Sequence, residues 1–598
     1  MSASQAERRG FDPHLPLHFY RNTGMRFSFI LAIAVGLTGT LQAAEYFVEK
    51  GGDDSNPGTR MQPFKSIQKA AGVMLPGDVC TVSRGVYRET IRPAVSGKPG
   101  SPLRFQVAPG ETATISGADV AARWERYTGS MYRVNAEGLI QVLVDEVPAI
   151  PRSSIPDDSA VPKAAWYYES GSGDVYLKLS GNSAPGEHSI ELQTRAWGID
   201  ASSFSHIEIK GFNLMACGVN FSEARMCRVE DCHIWWNGAP SGAVLMGGKD
   251  NELINSSIIG STGYGVVLLA GGVNNRVLNT LVRGRDISPF STIGILAQGT
   301  APTVRNVSVL DCAGGAILCS NVMNARIENN DFHHAGAGFT NTSLVRVTGD
   351  GKGTVLAYNW VHDNAAVDGE GIRLEGPVEN YVLRQNVIWG QPGAAFKMAG
   401  ASRYNFIFNN TTALNGCGVD VGKTGKDDDF RETRFMNNIL VGPVWPSTGG
   451  MPPSKLVWKK NYTGQNPGFV DETNRNFNLV AGSPCIDAGQ EEPEFTDEFT
   501  GNLPDIGAYE VGKEYPVPGC RVIESANKAV APVVKIVLES ETDGAEVRYT
   551  LDGRAPDEMS LLYTGAVSVV YGARIKAKAF RGGMEESATA HIQIRQLE

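Results

Sequence analysis

Four short runs each place one charged residue between two apolar ones: VRV at 345–347, IRL at 372–374, FKM at 396–398 and VDV at 419–421. Strict alternation is the pattern of a half-buried strand, whose successive side chains leave opposite faces. Arg346, Arg373, Lys397 and Asp420 are therefore expected to share one surface, and Glu375, two residues beyond Arg373, to join them. The DGEG turn ahead of Arg373 adds Asp368 and Glu370, and the turn before it adds His362 and Asp363. Two chemistries can be built from such a strip. Hydrolysis of a glycosidic bond needs two carboxylates, one protonated and one ionised; Glu375, Asp368, Glu370 and Asp420 form the pool, with Glu375 foremost. Elimination at a uronate needs a base near C5 and a cation on its carboxylate, which Lys397 and Arg373 offer on neighbouring repeats. Arg346, Arg373, Lys397, His362 and Asp363 are the expected substrate contacts. The competing reading is structural, because charged side chains on sheet faces also discourage edge pairing.

The strip needs a scaffold that returns the chain to the same place again and again, and residues 344–421 supply one. Each line of this stretch opens on an apolar/polar alternation, turns through Gly and ends on an Asn, with a period in the twenties. The same Asn position recurs at Asn255, Asn279, Asn330, Asn359, Asn386, Asn410 and Asn438, with Asp231 and Asp311 filling in. Such residues either stack amide on amide from one coil to the next or serve as left-handed turn residues. The expected fold class is all-β: a right-handed parallel β-helix followed by a small β-sandwich. Earlier coils are expected to show bland residues such as Leu268 and Ala297 where the later ones show charge.

The 598 residues exceed the usual compact core, but a solenoid grows without that limit. A net charge of −10 argues against a nucleic-acid partner. The nine cysteines show no zinc spacing and read mostly as small core residues, with Cys485 and Cys520 the one pair to suspect of bridging. No metal site and no cofactor are expected; calcium stays open, with no motif to indicate it. Residues 1–44 read as a signal-peptide region: RFSFILAIAVGLTGTLQAA has a basic start, an apolar run and small residues at its end, and Met25 offers an alternative start. The solenoid is assigned to 45–515, with helical spacing near 64–73 capping its open end and an antiparallel insert at about 118–195. Trp166, Tyr167 and Tyr168 lie in that insert and read as its own core before they read as a sugar platform. A detached β-sandwich follows at 527–598. The expected product is a secreted or periplasmic monomer with a polysaccharide partner and no membrane contact once the leader is removed.

Several segments resemble known families. DDSNPGTRMQPFKSIQKA with GVYRETI at the start, and NPGFVD, NFNLVAGSPCIDAG and PDIGAYE at the end, resemble secreted β-helical carbohydrate-active enzymes, the pectate-lyase-like and β-helical glycosidase group. YTLDG and ARIKAKAF resemble the Fn3-like C-terminal domain of chitobiase and hexosaminidase-type enzymes, an accessory module. AYNWVHDN and GIRLEG resemble the coils of fucosidase- and xylosidase-like members. The RHG-like run of β-helical alginate lyases, the paired Asp with GHG of polygalacturonases and the Asp cluster of calcium-dependent pectate lyases have no match. The resemblance thus implies a secreted glycoside hydrolase, with a uronate lyase as runner-up and a non-catalytic glycan-binding solenoid as the third reading.

Overall fold

The computed structural model describes residues 43–520 except 158–160, 162, 285–291, 338, 341, 423–429, 454, 494–495, 497–498 and 516–517; beyond 520 it describes chiefly the strands given below. The leader expected at 1–44 falls, but for its last two residues, outside the described residues. Among the described residues, no helix is long and apolar enough to cross a membrane.

The repeat folds as a parallel solenoid of about 14 turns. Each complete turn lays down three short strands, and equivalent strands pair in parallel from turn to turn. A first ladder runs through Trp197–Asp200, Gly218–Phe221, Val244–Met246, Tyr264–Leu268, Ile293–Thr300, Ile317–Met323, Ser343–Ala357, Glu370–Arg384, Ala394–Ala399 and Cys417–Val421. A second ladder starts at Glu45–Val48 and ends at Val457–Lys459, and the two 15-residue strands Ser343–Ala357 and Glu370–Arg384 belong to both. A third ladder of twelve strands runs from Gly85–Tyr87 to Ile439–Leu440.

Alternation explains the core. In most strands of the solenoid every second residue is apolar and joins one continuous buried column, from Val48 through Ile209, Val229 and Leu253 to Phe435. Where a strand is apolar on both faces the alternation loses its polar marker. Leu268 and Ala297 turn out to point inward, and Val267 and Leu296 take the outward positions.

Two adjacent residues make the corner between the second and third ladders. The first takes a left-handed backbone, as at Asp231 (φ 53°), Asn255 (φ 50°), Asn279 (φ 43°) and Asp311 at a related corner (φ 55°), a conformation Asn and Asp adopt at little cost. The second points inward and stacks. Asn330, Asn359, Asn386, Asn410 and Asn438 each donate an Nδ2 hydrogen bond to the Oδ1 of the next, Asn461 closing the series, at 2.8–2.9 Å. Asn255 and Asn279 therefore sit one residue ahead of the buried series. Each stacked amide satisfies polar groups that would otherwise be stranded, at about 1–3 kcal/mol per lost partner.

Both ends are closed. Helix Ile67–Val73 is capped by Ser66 and by the Glu89 carboxylate, which accepts from the Ile67 and Gln68 amides, and it buries Ile67, Ala70 and Ala71 on the first coil. Trp445 packs against Phe435 and Trp458 at the other end. Cys485 and Cys520 are not joined by a disulfide, and burial pushes the Cys217, Cys232, Cys312 and Cys319 thiols up to about 12.

The insert forms two small sheets, antiparallel except where Ile150–Pro151 joins Ala165–Trp166. Trp166 is buried in its core and Tyr167 stacks on Tyr176 within the same sheet. It rests on the outer face of the third ladder, where Ala118 and Leu143 meet Met215 and Trp235. Near the C-terminus, Glu546–Thr550, Leu561–Leu562, Arg574–Phe580 and Ala590–Gln593 form one antiparallel sheet, and Val534–Ile536 pairs with Val567–Val569 in another.

Candidate active site on the first ladder

Register brings the charged strip together. Arg346 pairs with Arg373, Arg373 with Lys397, and Lys397 with Asp420 on four successive coils, about 4.8 Å apart. All four leave the outer face of the first ladder, since Val345, Val347, Ile372, Leu374, Phe396, Met398, Val419 and Val421 all turn into the core.

The four carboxylates of the pool differ sharply in their surroundings. Glu370 opens its strand and is buried. Its Oε2 accepts from Ser343 Oγ at 2.8 Å, and both its oxygens accept from Arg373 Nη1 at 3.0 and 3.1 Å. Asp420 is buried as well: Lys397 Nζ donates to it at 2.7 Å, and the Ser447 hydroxyl and amide donate at 2.7 and 3.0 Å. Burial alone would raise the Asp420 pKa, but the hydrogen bonds from Lys397 and Ser447 together outweigh it and hold the carboxyl below the ordinary range. Glu375 has 44% of its side chain exposed and lies 3.7 Å from Arg346 Nε and 3.9 Å from Arg373 Nη2. These contacts leave its oxygens open to a ligand. Asp368 is exposed on the turn before the strand, in a left-handed conformation (φ 56°). It stands two residues ahead of the strand that carries Glu375.

Glu370 and Glu375 both touch the Arg373 guanidinium, which keeps their carboxyl groups within about 9 Å of each other. That is the scale over which a carboxylate pair serves a glycosidic bond. Ser343 and Ser447 escaped the sequence reading, although each stands 27 residues, one coil, from the carboxylate it serves.

His362 and Asp363 are not brought to this strip. His362 leaves the outer face of the third ladder, stacked between His333 at 4.8 Å and Trp389 at 4.1 Å. Its Nε2 bonds Asp331 at 2.8 Å and its Nδ1 bonds Asp363 at 2.8 Å. The chain between 466 and 520 covers this face: Phe477 and Ala508 pack on Trp389, and Trp360 Nε1 donates to Tyr509 at 3.0 Å. With 8% of its side chain exposed, His362 cannot meet a polymer on the first ladder. The WVH run alternates just as IRL does, so alternation gave the right face but not the right ladder. Among the described residues, no group of three or more His, Cys, Asp or Glu is arranged to hold a metal ion.

Comparison with known proteins agrees with this architecture. The family model for the right handed beta helix region matches residues 188–350 and 242–413. The chain carries a right-handed β-helix. The model for the chitobiase/beta-hexosaminidase C-terminal domain matches residues 526–591, beyond the β-helix. A curated relative, the uncharacterized protein YwoF of Bacillus subtilis (strain 168), is 31% identical over 107 residues; the match spans 17% of this chain and 23% of that protein. Among solved structures, the chain is similar to XylC in complex with xylose (16% identity, 70% of this chain and 83% of that one, TM-score 0.49). It is also similar to a glycoside hydrolase (11% identity, 73% and 99%, TM-score 0.48) and to pectate lyase Pel9A (15% identity, 79% and 97%, TM-score 0.41). These are likenesses of fold.

Proposed function

We propose that the protein is an exported enzyme that cleaves glycosidic bonds in a polysaccharide by hydrolysis, with Glu375 as the carboxylate that moves the proton. The observation that carries this reading is the sorting of the strip: Glu375 is exposed on the charged column, while Glu370 and Asp420 are buried and committed to Arg373 and Lys397. Glu370 fixes the guanidinium that lies beside Glu375 and stands within reach as the second carboxylate. Arg346 and Arg373 offer donors to sugar hydroxyls or to charge that develops on the leaving oxygen.

Elimination is the runner-up. Arg373 and Lys397 in register are the right pair for it, but Lys397 Nζ is engaged as a donor to the buried Asp420 at 2.7 Å, which ties it to the protein instead of leaving it to meet a proton at C5. The export step rests on the leader read at residues 1–44.

A panel of neutral, uronate-containing and sulfated polysaccharides tests the proposal. New reducing ends without the ultraviolet absorbance of an unsaturated product are the expected result. Reducing ends with that absorbance would make the enzyme a lyase, and binding without cleavage would leave a glycan-binding solenoid.

A further inference from the structure

The charged strip is half of a longer column. Reading the same outward position back along the first ladder, Arg346 pairs with Leu318, Leu318 with Leu296, Leu296 with Val267 and Val267 with Leu245. The column therefore changes from cationic to aliphatic in a single step between adjacent coils.

Its accessible part has two ends. At one, Val267 is only 4% exposed. Gly242 lies against it, close enough that a Cβ there would come within 3.1 Å of Val267 Cγ2. Gly242 closes the 236–242 turn, which the insert holds in place: Gln141 Nε2 donates to the Trp236 carbonyl and Gly238 N donates to Gln193 Oε1 at 3.1 Å. At the other end Asp420 is buried beneath Ser447. Between them lie five half-buried outward residues, Leu296, Leu318, Arg346, Arg373 and Lys397, spanning about 19 Å. The flanking outward positions on the two aliphatic rungs are Gln298 and Ser320, which are polar but uncharged.

We propose that Leu296 and Leu318 form a subsite for a methyl-bearing substituent on the glycan, an O-acetyl ester or the 6-deoxy carbon of a sugar, one or two units from the bond cleaved beside Glu375. The inference rests on the glycan-cleaving reading above and goes on to name what the neighbouring sugar carries. Sugar rings present mostly hydroxyls, and burying a hydroxyl against two leucines without a partner is unfavourable. A methyl group gains from the same contact. Continuity with the charged rungs makes a glycan chain lying along the column the occupant, because a ligand spanning the strip must cross Leu318 to extend past Arg346.

The test is equilibrium binding of the full-length protein to matched pairs of polysaccharides. One arm compares natively acetylated glycans with the same material after mild alkaline de-esterification. The other compares 6-deoxy with 6-hydroxy polymers. Binding about tenfold tighter to the methyl-bearing member of either arm is expected. In Leu318→Asn and Leu296→Asn that preference should vanish, with the loss of affinity falling on the methyl-bearing member. The arm that shows the preference identifies the source of the methyl. Equal affinity for both members in both arms would overturn the subsite, and cleavage of either member would leave the hydrolase reading standing. Asn variants that weaken both members equally would also overturn it, since the leucines would then be a general contact. Retention of the native circular dichroism spectrum and melting temperature shows that the variants are folded.

Discussion

Of the clusters of ionisable side chains that project from this β-helix, those on the first and third ladders are treated in opposite ways. On the first ladder, Arg346, Arg373, Lys397 and Glu375 face solvent with contacts of 3.7–3.9 Å between Glu375 and its two arginines. On the third ladder, His362 sits between two carboxylates at 2.8 Å under a roof of aromatic residues. Both are built by the same alternation and the same coil-to-coil register. What separates them is whether a later part of the chain lies over them. Charge left open can exchange its partners for a ligand; charge that is roofed becomes part of the packing. Function and stability should therefore come apart cleanly between the two ladders.

The sharpest way to break that contrast is to mutate each cluster and read both properties. Glu375→Gln should lose turnover by on the order of a hundredfold or more while its melting temperature stays within a degree or two. Unchanged turnover would remove Glu375 from the mechanism, and loss in Lys397→Ala with none in Glu375→Gln would favour elimination. His362→Ala should do the reverse. Removing one member of a buried ionic group costs about 3 kcal/mol or more, so the variant should melt several degrees lower and keep its activity per folded molecule.

A smaller effect follows from titration. Burial would lower the His362 pKa, but Asp331 and Asp363 more than compensate and raise it above 6.5. Burial would raise the Asp363 pKa, yet the bond and charge of His362, with His334 and Arg475 nearby, bring it below 3.8. The histidine contribution is full below pH 6.5 and fades as pH rises through the raised value. The aspartate contribution is full above pH 3.8 and fades as pH falls through the lowered one. The melting-temperature gap between the native protein and His362→Asn should thus be widest between roughly pH 4 and 6.5 and narrow toward pH 9. A gap that widens toward alkaline pH would contradict the assigned charge state.

Alternation made the strip legible. VRV, IRL, FKM and VDV have one charged residue each, so face and register follow from the period of two, and the structure keeps them in line. The aliphatic half of the column was misread by one residue, because GVVLL and GILA contain nothing polar to mark the outer face. His362 was misplaced for a different reason. Its ladder depends on where the chain turns, and its burial depends on Phe477 and Tyr509, more than a hundred residues away. Ser447 lies one coil beyond Asp420 in a stretch without alternation, so only the length of the repeat could have pointed to it. The Asn series was legible as structural, but which Asn stacks and which turns depends on a one-residue offset that composition does not show.

The segment that roofs the third ladder reaches further than the histidines. From Asn437, whose amide donates to the Gln490 carbonyl, it runs back past Thr411 and Trp389 to Asn329 and Ser308, where Gly519 N and Cys520 N donate at 2.8 and 3.0 Å. A bare solenoid bonds each coil only to its neighbours and can fray inward from an end, one coil at a time. A strap that touches six coils in succession makes the last coil's release wait on the others, so this half of the molecule should unfold in one cooperative step. It also fixes an order of assembly: the strap is the last part of the β-helix to leave the ribosome and can dock only on coils already wound.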